Sequence, residues 1–176
     1  MKENKQASEA CEWMESIAFA LAFTMLILVF VFNFSRVSGT SMVPTLEDGD
    51  RVLVRTAFYT PHRGDIITTD ALIDYGKPLA KRVIALSGDI VDIDAVSGTV
   101  FVNGESIDEP YIVTPTTQND LTFPYTVPDG LVFVMGDNRP GSMDSRSARI
   151  GCIDARDILG EIIFRVAPTS NMGKVK

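Results

Sequence analysis

A single membrane-spanning helix followed by an all-β domain of antiparallel, barrel-like sheets is the fold class that this chain predicts. Three observations carry that expectation. From Ile17 to Phe34 the chain is apolar apart from Thr24 and Asn33. Beyond it come short β-type segments separated by Gly, Asp, Asn and Pro, several with the period-2 alternation of half-buried strands. No heptad, internal repeat or long amphipathic helix follows, so sheet packing is left as the way to build a core.

The apolar run holds 18 residues, which as a helix rise about 27 Å, close to the hydrocarbon thickness of a bilayer. A buried core helix would need partner helices of similar apolarity, and the remaining sequence offers none. A cleavable secretory signal would follow a basic flank, whereas Glu9, Glu12 and Glu15 stand here. Lys2 and Lys5 before the run and Arg36 and Arg51 after it leave the orientation undecided by positive charge.

The strands follow in order. Arg51 to Val54 comes after the turn Glu47-Asp48-Gly49-Asp50, and Asp65 to Thr69 after Pro61-His62-Arg63-Gly64. Lys81 to Leu86 is bounded by Ser87-Gly88-Asp89, and Ile90 to Ile93 and Thr99 to Val102 alternate around Ser97-Gly98. Asn103-Gly104 then supplies the two positive backbone dihedrals of a tight hairpin, which predicts antiparallel pairing. Thr114 to Thr126 is polar and turn-rich and predicts a long surface excursion. The apolar strand Leu131 to Met135 follows, and Ile158 to Val166 closes the domain.

With 176 residues, one compact domain plus a short anchor is expected. A net charge of −7 without any basic cluster excludes a nucleic-acid partner, which requires cations to displace phosphate counterions. Cys11 and Cys152 flank the apolar run. If that run spans a bilayer, they face different compartments and cannot pair within one chain.

Chemistry has few candidates. The usual base for a serine nucleophile is histidine, but the one histidine, His62, sits in a turn beside Arg63. The acidic residues are scattered without metal-ligand spacing, so no metal is expected, and no cofactor. Lysine remains. It acts as a base only when neutral, which near pH 7 to 8 requires burial to lower a pKa of about 10.4. Alternation in Leu79-Ala80-Lys81-Arg82-Val83 places Lys81 and Arg82 on opposite faces, so one of the two points inward. From that segment alone an ordinary lysine at a strand edge is the simpler reading.

Four segments carry a resemblance. Ser41-Met42-Val43-Pro44-Thr45-Leu46, Gly64-Asp65-Ile66, Lys81-Arg82-Val83-Ile84 with Gly88-Asp89, and Gly136-Asp137-Asn138-Arg139 followed by Ser142-Met143-Asp144-Ser145-Arg146 resemble, in order and spacing, the boxes of type I signal peptidases. The resemblance implies a membrane-bound serine endopeptidase in which Ser41 is the nucleophile and Lys81 the general base. It implies cleavage of secretory preproteins after small residues at −3 and −1. Ser142 is expected to hydrogen-bond and orient the lysine, Asp144 and Arg146 to form a supporting ion pair, and Asp137 to pair with Arg82 and turn it away from Lys81. Substrate contacts are expected at Met42, Pro44 and Ala80. The implied layout is a cytoplasmic tail over 1–15, a single-pass anchor in the lipid bilayer over 16–34, and an extracytoplasmic peptidase domain over 35–176.

Some positions depart from the family pattern. The oxyanion hole is expected at the Ser41 N–H. Gly39 stands where a hydroxyl residue is often found, so its backbone is the expected second contributor. Ala80 replaces a larger apolar residue, which would widen a substrate pocket, and Ser87 replaces a common proline. Self-cleaving repressors of the same Ser/Lys type carry a DNA-binding helical domain where this chain has its apolar run. A catalytically silent, membrane-anchored β module remains the alternative of another class. Penicillin-binding enzymes are excluded because Pro44 occupies the lysine position of their Ser-x-x-Lys motif. Oligomeric state is not legible.

Overall fold

The computed structural model describes residues 2–70 and 78–175, with side chains described from Glu12 onward. The side chain of Cys11 and the terminal Lys176 lie outside that set.

Helix α1 spans Lys2–Val31, about 45 Å at 1.5 Å per residue. Its stretch Glu12–Val31 has a mean hydropathy of 2.3 and buries nothing against the rest of the chain, so it is long and apolar enough to cross a membrane. The helix stops three residues short of the end of the apolar run. Phe32–Arg36 instead forms strand β1, paired antiparallel with β2 (Arg51–Arg55) from Phe32↔Arg55 to Arg36↔Arg51. The changeover has a local cause in Thr56. Its N–H donates to the Val31 carbonyl at 2.9 Å and its hydroxyl lies 3.2 Å from the carbonyls of Phe30 and Val31. These are helix-end acceptors that otherwise have no partner.

The remaining strands are β3 (Ile66–Thr69), β4 (Ala80–Ala85), β5 (Ile90–Ile93), β6 (Val100–Val102), β7 (Glu105–Ser106), β8 (Tyr125–Thr126), β9 (Leu131–Met135), β10 (Ile153–Asp154), β11 (Ile158–Ala167) and β12 (Gly173–Lys174). One sheet runs β1-β2-β11-β3-β4-β9-β10 with β12 attached to β11, and a second runs β7-β6-β5-β8. Every pairing is antiparallel. The expected all-β architecture is therefore present. Asn103 and Gly104 form the β6–β7 turn with φ of 55° and 83°, as the dipeptide predicted.

Three apolar clusters hold the sheets. One, with Val91, Val102 and Phe133, lies between the second sheet and the β4–β9 region. Another, with Ile67, Val83 and Val134, packs the central strands, and a third, with Met42, Leu46, Val52 and Ile162, lies beneath the loop that follows β1.

Two expectations are corrected here. Lys81 and Arg82 are both buried, at 2 % exposure each, because β4 is covered on both faces rather than one. Thr114 to Thr126 is only partly a surface excursion. Leu121, Phe123 and Tyr125 pack against the first cluster, Tyr125–Thr126 pairs with β5, and Thr116 is buried. Leu121, Phe123 and Tyr125 do alternate at period 2, but Pro124 among them and the polar, turn-rich run before them masked the signal.

The segment linking β7 to β8 also makes a polar seam. Arg139 is buried and pairs with Glu109 and the Thr116 hydroxyl, while Tyr111 stacks its ring 3.8 Å from the Arg82 guanidinium. Arg146 reaches the Thr117 carbonyl at 3.2 Å. Removing one partner of such a buried pair strands the other charge in low dielectric. Glu109→Gln is therefore expected to destabilise the protein by about 3 to 5 kcal/mol in a denaturant titration in detergent. Pairing Glu109→Leu with Arg139→Met should recover most of that loss.

Candidate active site

Ser41 lies in the loop from Val37 to Asp50 that connects β1 and β2. The loop is closed at its base by Val37 N–H to Asp50 O (2.8 Å) and Gly49 N–H to Val37 O (2.9 Å). It is held down by Met42 and Leu46, which plug the third apolar cluster and are joined by the turn bond Leu46 N–H to Met42 O at 2.9 Å. Ser41 is thus fixed from below by the side chain that follows it.

Strand β4 delivers Lys81 opposite Ile67 of β3. The Lys81 Nζ stands 2.6 Å from Ser41 Oγ and 3.1 Å from the Ala80 carbonyl. Burial, the dominant influence, lowers its pKa from 10.5 to about 8. Asp144 and Asp137 pull it up, and Arg146 pushes it further down. As an ammonium Lys81 donates to Ser41; as an amine it accepts the hydroxyl proton.

The Gly136-to-Arg146 segment forms the wall behind this pair. Arg82 grips Asp137 through Nε (2.9 Å) and Nη2 (2.7 Å) and spends Nη1 on the Gly64 carbonyl (2.8 Å). The Thr45 hydroxyl also donates to Asp137. Arg146 makes a two-pronged pair with Asp144 at 2.8 Å and reaches the Arg139 carbonyl at 2.8 Å, while Asp144 accepts from Gly136 N–H at 3.0 Å. Gly136 is required by contact rather than by dihedral: a Cβ there would overlap the Ser41 carbonyl oxygen and the Ser142 side chain.

The wall reaches Ser41 directly through Asn138. Its N–H donates to the Ser41 carbonyl at 3.0 Å and its side-chain amide to the Thr40 carbonyl at 3.1 Å. Glu109 and Tyr111 do not stand out in the sequence as site residues, and Asn138, although it lies in one of the four boxes, has no role assigned to it there. A short polar side chain in a turn acquires this meaning only when the turn meets the Ser41 loop.

A cleft of about 560 Å³ opens over Ser41 and Lys81, with Val37, Val52, Ala80 and Ile162 on its apolar floor and Gly39, Thr40 and Met143 at its rim. The sequence-derived residues distribute unequally around it. Ser41, Lys81, Gly39 and Ala80 line it. Met42 is buried in the core beneath, and Pro44 does not line the cleft. The Gly39 N–H, expected to face an oxyanion, donates instead to the Asp48 carboxylate at 2.7 Å, so it is committed to holding the loop. The Ser41 N–H donates to none of the described residues. Ser142 Oγ, expected on the lysine, is buried with no hydrogen-bond partner, because it is packed against Gly136 instead. His62 is an exposed turn residue 3.4 Å from Asp65 and away from the cleft.

A serine hydroxyl within hydrogen-bond reach of a buried lysine of lowered pKa, both lining an open cleft, is an arrangement for acyl transfer. Comparison with known proteins agrees. The family model described as "Signal peptidase, peptidase S26" matches residues 10–167. Signal peptidase I of Bacillus licheniformis is 35% identical, over 98% of this chain and 97% of that protein. Signal peptidase I P of Bacillus subtilis subsp. natto is 38% identical, over 98% and 96%. The crystal structure of a signal peptidase I from Enterococcus faecalis V583 superimposes with a TM-score of 0.50 at 30% identity, covering 60% of this chain and 99% of that one. A family model that matches residues 10–167 and relatives matched almost end to end place the chain in the signal peptidase I family, the serine peptidases that remove signal peptides from preproteins.

Proposed function

We propose that this protein cleaves secretory preproteins with a Ser41/Lys81 dyad, cutting after small residues at −3 and −1, while anchored in the membrane by α1. The observation that carries the reading is the 2.6 Å contact between Ser41 Oγ and a Lys81 that is almost wholly buried. With a pKa of about 8, roughly a tenth of the lysine is neutral at pH 7. The neutral amine takes the Ser41 proton as Oγ attacks the scissile carbonyl. The oxyanion forms against the Ser41 N–H. The resulting ammonium then protonates the leaving amine, and Lys81 activates a water to release the acyl group.

The apolar floor of Val37, Val52 and Ile162 beside Ala80 suits small uncharged side chains at the scissile bond. Asp137 with Arg82 and Asp144 with Arg146 are positioning pairs that keep neighbouring cations from the lysine. Ser142, whose buried hydroxyl has no partner among the described residues, is the wall residue proposed to orient the lysine. The layout we propose is a cytoplasmic tail over 1–15, an anchor through the bilayer over 16–34 and the peptidase domain outside over 35–176. Ser41 follows the helix end at Val31 by ten residues, which keeps it near the membrane surface where a signal peptide emerges. Shared confinement to the bilayer raises the effective concentration of one for the other.

The test is cleavage of a preprotein with an Ala-x-Ala site in detergent, with the cut located by mass spectrometry. Wild type should cut after that site, and Ser41→Ala and Lys81→Ala should each lose at least about a thousandfold in kcat. A folded wild type that does not cut, or a Ser41→Ala that does, overturns the reading. For the wild type, kcat/KM should climb about tenfold per pH unit on the acid side and level off above about pH 8, where the lysine is neutral.

Stability should also rise with pH, but over a higher range than activity. Because the folded-state pKa lies below the unfolded value, the cost of burying the charged lysine is fully present below pH 8 and fades as pH rises toward 10.5. Lys81→Met should therefore stabilise the inactive protein by up to about 3 kcal/mol at pH 7. Denaturant titrations at several pH values should show that advantage shrinking between pH 8 and 10.5.

A further inference from the structure

We infer that Asn138 is a positioning residue for the oxyanion: its side-chain amide fixes the Thr40–Ser41 peptide so that the Ser41 N–H faces the cleft. The inference rests on the reading of Ser41 as the nucleophile.

A trans peptide is planar, with its C=O and N–H pointing in opposite directions. Whatever holds the Thr40 oxygen therefore aims the Ser41 nitrogen. Two donors reach that oxygen, the Asn138 Nδ2 at 3.1 Å and the Val43 N–H at 3.2 Å, one for each lone pair. The Val43 bond lies within the turn that carries Ser41, so it shapes the turn without tying it to anything else. Asn138 supplies the external tie. Its own N–H takes the next carbonyl, that of Ser41, at 3.0 Å, so one residue grips the peptides on both sides of the nucleophile.

The amide is itself held in place. The Gly141 N–H donates to the Asn138 main-chain carbonyl at 3.0 Å, which brings Gly141 against the side chain, and a Cβ on Gly141 would come within 2.6 Å of Asn138 Nδ2. The amide thus occupies the space that Gly141 leaves open. With the Gly39 N–H bound to Asp48, the aim of the Ser41 N–H decides how well the developing oxyanion is met. That placement belongs to the transition state more than to the bound substrate.

Three substitutions test this. Asn138→Asp keeps the shape but sets a carboxylate oxygen against the Thr40 carbonyl, Asn138→Ala removes the amide, and Gly141→Ala keeps the amide and pushes it from its seat. Each should lower kcat for the Ala-x-Ala preprotein by about 10- to 100-fold with KM changed by less than about threefold. In Asn138→Ala and Gly141→Ala the acid limb of the pH profile should stay near pH 8, since neither changes the charge around Lys81.

A peptide aldehyde ending in alanine provides a second readout. Ser41 Oγ adds to its carbonyl carbon, the hydroxyl proton passes to Lys81, and the former carbonyl oxygen carries the negative charge. Its affinity should fall in parallel with kcat. Binding of the matching uncleaved peptide amide should change by less than about threefold.

An unchanged kcat in Gly141→Ala and in whichever Asn138 variants fold would overturn the inference. So would equal losses for aldehyde and amide, which would mark a general structural role. Failure of the underlying reading has a different signature: wild type that forms no aldehyde adduct, or Ser41→Ala that still cuts.

Discussion

Burying one amine beside one hydroxyl governs how this domain is built. A lysine at 2 % exposure is stable in the folded chain only where its charge is weakly favoured and its nitrogen has a partner. Strand β4 meets both conditions by running through the middle of the larger sheet with cover on either face. The same placement puts Arg82 in the interior, and that second cation cannot be neutralised by burial as a lysine can. Asp137, the Gly64 carbonyl and the Tyr111 ring together satisfy it.

This requirement spreads outward through the Gly136-to-Arg146 segment. Arg82 pairs with Asp137, Arg146 with Asp144, and Arg139 with Glu109 from the second sheet's connection. Buried ion pairs of this kind contribute little net stability, since desolvation offsets much of the attraction. What they supply here is position. They hold a wall whose closest approaches, Gly136 to the Ser41 carbonyl and Asn138 to both peptides around Ser41, set the Ser41 backbone. The connection between β7 and β8 acts on it through the Glu109 carboxylate, the Thr116 hydroxyl, the Tyr111 ring and the Thr117 carbonyl.

Continuity between helix and sheet is the other constraint. The apolar helix passes into β1 without a linker, and Thr56 takes up the helix-end carbonyls at the junction. An apolar segment that would otherwise move independently of the domain is thereby tied to the strand that leads into the Ser41 loop.

The amino-acid sequence by itself determined the features whose causes are local. These are the apolar helix, the Asn103-Gly104 hairpin, the strands around Lys81 and Leu131, and the boxes that single out Ser41 and Lys81 with the Asp137 and Asp144 pairs. Each depends on periodicity, turn dihedrals or a spaced set of residues, all written along the chain. Tertiary structure alone decided the rest. Two-residue strands such as β8, β10 and β12 exist only because a neighbouring edge offers hydrogen bonds. The last residues of the apolar run become β1 because β2 lies beside them. Met42 is a core plug, Gly39 is tied to Asp48, and Ser142 packs against Gly136 because of loops that meet from distant positions. Glu109 carries no signal of its own and Asn138 only its place in a box, since a buried arginine or a peptide carbonyl gives them their roles only after the fold has brought it within reach.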